Sequence, residues 1–62
     1  MTKVEQMAFE YGKTFKAEKG KDAPCFDDRM HDLVREARTA AGSRRNIKIM
    51  EAWLLGRKES KV

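Results

Sequence analysis

One cysteine, one proline, one histidine and one tryptophan occur in the 62 residues, and no apolar run exceeds a few positions. The single cysteine, Cys25, cannot close an internal disulfide, so the staple that small secreted domains rely on is missing and a cytoplasmic setting is expected. One cysteine and one histidine cannot build a closed structural zinc site, even with Asp27 and Asp28 near His31, so no metal is expected. Six residues apart, Cys25 and His31 face different sides of a helix and have no orienting third group, which argues against a nucleophilic dyad. No enzyme and no cofactor are therefore expected. A bilayer span needs roughly 18 consecutive apolar residues, and an export leader needs a continuous apolar core that Met1 to Phe9 does not supply. Neither a membrane partner nor a secretory route is expected. Internal repeats and low-complexity segments are absent too, and the only alternating stretch, Asn46 to Met50, lies inside a longer helical period.

What the chain does have is charge, unevenly placed. Charged residues make up 39% and apolar residues 40%, too apolar for a disordered tail. Residues 1–40 hold eight basic and eight acidic side chains and sum to zero, whereas residues 41–62 hold six basic and two acidic ones and carry the whole net charge of +4. A neutral scaffold with a positive C-terminal element suits phosphates or an acidic protein surface.

The apolar spacing predicts an all-α, three-helix domain over residues 1–62, with helices about 3–19, 26–41 and 44–58. Thr2 and Glu5 form a capping box for the first helix, whose stripe is Val4, Met7, Ala8, Tyr11 and Phe15, with Gly20 as its left-handed terminator. Phe26, Met30, Leu33, Val34, Ala37 and Ala41 repeat the period in the second, with Pro24 near its start and Asp27 and Asp28 in its first turn. Gly42 ends it and Ser43 caps the third, whose inward positions are Ile47, Met50, Trp53 and Leu54, with Ile49 at the margin. The short second joint makes helices two and three close neighbours, Cys25 reads as a small buried joint residue, His31 as a surface imidazole, and Lys58 to Val62 are expected to fray. So small a chain buries only about 60% of its unfolded surface, and a partner could supply more.

Arg44, Arg45 and Lys48 crowd the start of the third helix, where cations oppose the helix dipole by some tenths of a kcal/mol. Helix stability does not explain them; the two readings are phosphate contact, with Ser43 and the first-turn amides as neutral donors, and a solvated face that aids solubility. Arg57, Lys58 and Lys61 extend the basic run but also suit a helix C-terminus. The glycine turn between helices invites comparison with a helix-turn-helix, but the small residue that motif needs four before its glycine falls on Arg38. Phe9, Ile49 and Leu55 lie off the main stripes and are candidate apolar contacts to a protein partner, a second copy included.

Taken in order, Tyr11-Gly12, Gly20-Lys21, the turn Ala23-Pro24-Cys25-Phe26 and Trp53-Leu54-Leu55-Gly56-Arg57 resemble the ribosome modulation factor family, over about half of the chain. That family has a Gly-containing first helix, a Gly-then-Pro-aromatic joint and a Trp-x-x-Gly helix. The stretch from Phe26 to Trp53 is much longer here, and Arg57 stands where the family has an aromatic. The resemblance implies a tiny basic protein that binds ribosomal RNA and neighbouring ribosomal proteins to store ribosomes inactive. Short chains of this kind also resemble bacteriophage regulators that bind and block one host protein. The expectation is thus a non-catalytic regulatory binding protein that engages nucleic acid, structured or ribosomal RNA foremost, through its basic third helix. An inhibitor or adaptor docked on an acidic host-protein surface is the alternative. Single-strand stacking is not expected to dominate, because no exposed aromatic platform is foreseen.

Overall fold

A computed structural model describes residues 2–16, 19–39 and 42–59, and among these the chain is all-helical: α1 spans Lys3–Thr14, a 3-10 turn Pro24–Phe26, α2 Asp28–Ala37 and α3 Arg44–Glu59. Thr2 caps α1 as its spacing to Glu5 implies. Its hydroxyl accepts the Glu5 amide at 3.2 Å and donates to the Glu5 carboxylate at 2.8 Å.

The first helix stops five residues before the expected end at Lys19. Phe15 is extended, with ψ 131°, and its amide closes on Gly12 O. Side chains replace the missing helical donors: the Arg29 guanidinium donates to Tyr11 O at 3.0 Å and that of Arg57 to Phe15 O at 3.2 Å. Stopping there also lets the Phe15 ring meet Trp53 edge-on, at 5.1 Å between centroids. Gly20 is left-handed, with φ +78°, but it sits in the joint and not against the helix end.

The second helix is shorter at both ends than the expected 26–41. Pro24 opens a separate 3-10 turn, and Asp27, not a first-turn residue, becomes the N-cap of α2 by accepting the Arg29 amide at 3.0 Å. Arg38 takes the left-handed conformation, φ 55° and ψ 41°, and ends the helix after Ala37; Ala41 lies outside the described residues. Gly42 is left-handed, and Ser43 caps α3 by accepting the Asn46 amide at 3.2 Å, as its position implies.

Ala8, Met30, Leu33, Ile49, Ala52 and Trp53 form the core, with Val4, Met7, Phe9, Tyr11, Phe15, Val34, Ala37 and Met50 packed around it. Three positions expected inside are outside: Phe26 and Ile47 are each 48% exposed and Leu54 50%, while Ile49, placed at the margin, is buried. Cys25 is also exposed, not buried in the joint. The rotation follows from what α3 packs against. Its principal neighbour is α1, not α2 as the short joint suggested. The two helices touch backbone to backbone. A Cβ on Gly12 would strike the Trp53 carbonyl, and one on Gly56 would strike the Phe9 carbonyl and lie 2.9 Å from the Lys13 nitrogen. Only a glycine at each of these two positions allows that approach, and it turns Ile49, Ala52 and Trp53 inward and Ile47 and Leu54 outward.

Candidate nucleic-acid interface

Arg44, Arg45 and Lys48 are exposed at the N-terminal end of α3. Helical geometry sets Arg44 and Lys48 on one row, a turn apart, with Arg45 about 100° round the axis. Among the described residues none of the three makes a hydrogen bond or ion pair. Lys48 comes nearest to being engaged: it lines a shallow depression with Glu5 and Glu51. The Thr2 hydroxyl is the chief group that holds the Glu5 carboxyl below its usual value, and Lys48 adds to it. Ser43 is half-buried and its oxygen serves the helix cap, so its part at this surface is first of all local.

Arg29 and Arg57 are engaged internally, whereas Arg35 and Arg38 are exposed like Arg44, Arg45 and Lys48. Arg57 grips Asp22 through Nε to Oδ1 at 2.8 Å and Nη2 to Oδ2 at 3.3 Å, and its guanidinium lies 5.7 Å from the Phe15 ring centroid. That hydrogen-bonded pairing lowers the Asp22 carboxyl and raises the Arg57 guanidinium further. Arg57 is therefore a clamp between α3, the joint and the end of α1, which removes it from the freely exposed basic set. Lys58 remains exposed, and Lys61 lies outside the described residues.

Asp27 is the buried charge that the pattern of apolar residues did not single out. Only 4% exposed, it accepts the Trp53 indole N–H at 3.0 Å, the Arg29 amide, and the Arg29 guanidinium through Nε and Nη2 at 3.1 Å each. Burial pushes its carboxyl up, but these hydrogen bonds, from Arg29 and then Trp53, outweigh it and hold the group below the ordinary 3.8. Arg29 in turn bonds Thr14 Oγ1 at 3.1 Å and stacks 4.7 Å from the Tyr11 ring centroid. One ion pair thus ties α1, α2 and α3 together. Its signal in the sequence was a lone Trp, whose N–H needs a buried acceptor, with an Asp at a helix cap.

Of the candidate apolar contacts, Leu55 is 44% exposed, Phe9 is half-buried against the core with Lys13 over its ring, and Ile49 is withdrawn as a contact because it is only 1% exposed. Its place is taken by Ile47 and Leu54, seven residues apart on the outer row of α3. Met50, one turn from each, lines a groove of about 360 Å³ between α2 and α3 with Met30, Val34 and Pro24. His31 is exposed, as expected, and its Nε2 donates to Cys25 O at 2.9 Å. Among the described residues no three His, Cys, Asp or Glu side chains converge as a metal site would require, and no helix is long and apolar enough to cross a membrane. Comparison with models of protein families, with characterised proteins and with solved structures finds no match to this chain.

Proposed function

We propose that this protein is a non-catalytic regulatory binding module that engages structured RNA through phosphates held at the N-terminal end of α3. Ribosomal RNA is the form of that partner which the family resemblance implies. The observation that supports the reading is the division among the cations: Arg29 and Arg57 serve the fold, whereas Arg44, Arg45 and Lys48 are exposed with no internal partner among the described residues. Two arginines at a positive helix end repel the dipole, and a phosphate placed there relieves that repulsion while taking the open first-turn amides. Affinity for a structured RNA should fall steeply with salt, the log-log slope approaching the number of phosphates neutralised. Changing Arg44, Arg45 and Lys48 to Ala should weaken binding about a hundredfold, at about 1 kcal/mol per contact. Changing Lys3, Lys13 and Lys19 removes the same charge elsewhere and should cost far less. Equal losses in the two variants would leave net charge as the whole explanation and sink the reading.

A second reading has its own observation, the exposure of Ile47 and Leu54 beside the Met50 groove. An acidic protein surface anchored by these side chains would bind with weak salt dependence and lose affinity on Ile47→Ser or Leu54→Ser, with RNA showing no binding even at low salt.

A further inference from the structure

At the other end of α3, where α1 stops and the joint folds back, Phe15, Lys16, Lys21 and Phe26 line a cleft of about 260 Å³. We infer that this cleft is a stacking site for an unpaired base of a single-stranded nucleic acid, with Lys16 and Lys21 holding the phosphates that flank it. The inference rests on nucleic acid being the partner class and adds a second site, about 20 Å along the helix axis from Arg44.

Each wall has the chemistry this ligand needs. Phe26 is 48% exposed on a 3-10 turn stiffened by Pro24, so an aromatic surface is offered to solvent on a backbone with little freedom. Phe15 is held from behind by the Trp53 ring edge and the Arg57 guanidinium. Both lysines are exposed, and among the lining residues there is no acid. The two carboxylates adjacent in sequence to the lining residues are already held, Asp22 by Arg57 and Asp27 by Arg29 and Trp53. The volume falls below the roughly 300–1,000 Å³ of sites for drug-sized ligands, which suits a single ring system. Phosphate alone would leave two phenyl rings without a role, and an apolar ligand would leave two lysines without one. A base flanked by phosphates uses both, since every base has a π-face and lysine meets a phosphate as a point charge. The exposed Phe26 supplies the aromatic platform that the sequence reading expected to be missing, because its helical spacing had placed it in the core.

The test compares a short fluorescein-labelled RNA strand of mixed sequence with an abasic strand of the same length, which keeps the phosphates and removes the bases. The wild-type protein should bind the intact strand roughly five- to a hundredfold more tightly than the abasic one. Phe26→Ala should erase that ratio while circular dichroism stays helical, and Phe26→Tyr should preserve it. Changing Lys16 and Lys21 together to Ala should weaken both strands and lower the salt slope by about two. Equal affinity of the wild type for the two strands would overturn the stacking site. The α3 reading would survive that result if the Arg44, Arg45 and Lys48 variant still lost affinity for a structured RNA. No binding of either strand at low salt would overturn the stacking site, and the α3 reading falls with it only if a structured RNA also fails to bind at low salt. A nucleoside monophosphate that bound as tightly as the intact strand would overturn the assignment to a strand.

Discussion

A methyl group at Gly56 has no space to occupy. Built on the backbone, it would fall on the Phe9 carbonyl oxygen and lie 2.9 Å from the Lys13 nitrogen and 3.0 Å from the Phe9 carbonyl carbon. All of these are main-chain atoms of α1 and cannot rotate aside. To accept Gly56→Ala the two helices must separate, which loosens the contact around Ala8, Ala52 and Trp53, three of the buried core residues. Overpacking of this kind costs about 1–3 kcal/mol or more, and the loosened core adds to it. Against that stands the helix propensity of Ala over Gly, a gain of about 1 kcal/mol. The collision should win, with a net loss on the order of 2 kcal/mol. At roughly 0.05–0.15 kcal/mol per residue the whole domain has only about 3–9 kcal/mol. In a domain of this size each kcal/mol moves Tm by about 4–8 °C, so a fall of roughly 10–15 °C is expected in thermal unfolding followed at 222 nm. Urea unfolding should give a lower midpoint with an unchanged slope. Gly12→Ala, whose Cβ would lie 2.8 Å from the Trp53 carbonyl carbon, should behave alike. A rise in Tm would show propensity alone at work and refute the close crossing.

Other outcomes follow from the same contacts. The Asp27 carboxyl is held below its ordinary 3.8, so the stability it contributes is present above about pH 4 and is lost as pH falls through the lower folded-state value. Urea midpoints measured from pH 6 to pH 2 should decline, and Asp27→Asn should flatten part of that decline while lowering stability at pH 6. Trp53→Ala removes a fully buried ring and leaves Asp27 short of a donor, at a cost of about 3–5 kcal/mol, so the helical circular dichroism should largely collapse; an unchanged spectrum would show that Trp53 is not core. Arg38 is left-handed with no benefit from its Cβ, so Arg38→Gly should raise Tm by a few degrees, corresponding to up to about 1 kcal/mol. Changing Arg44, Arg45 and Lys48 together to Ala should move Tm by no more than about the tenths of a kcal/mol per site typical of exposed positions.

The number and class of the elements could be read from the chain because they depend on local physics. Thr2 and Ser43 cap helices wherever they stand before one, left-handed Gly42 closes a turn at no steric cost, and apolar residues at three- and four-residue spacing make a helical face in any context. Exposure of Arg44, Arg45 and Lys48 was legible for the same reason, since unpaired cations stay in water. The ends of α1 and α2 were not legible. Arg29 and Arg57, distant in sequence, supply the donors that end α1 at Thr14, and no local rule places them there. Nor could the period alone say which side of α3 faces inward, because Ile47 and Leu54 offer as good a stripe as Ile49 and Trp53. That choice was made where Gly12 lies on the Trp53 backbone and Gly56 on that of Phe9 and Lys13, two positions whose lack of a side chain carries no hydrophobic signal. Composition and spacing determined three helices and a basic third one. Which residues line its surface, and the bond from Trp53 to Asp27 that joins the helices, were decided only when backbones separated by some forty residues came into contact, since close packing depends on shape and not on local preference.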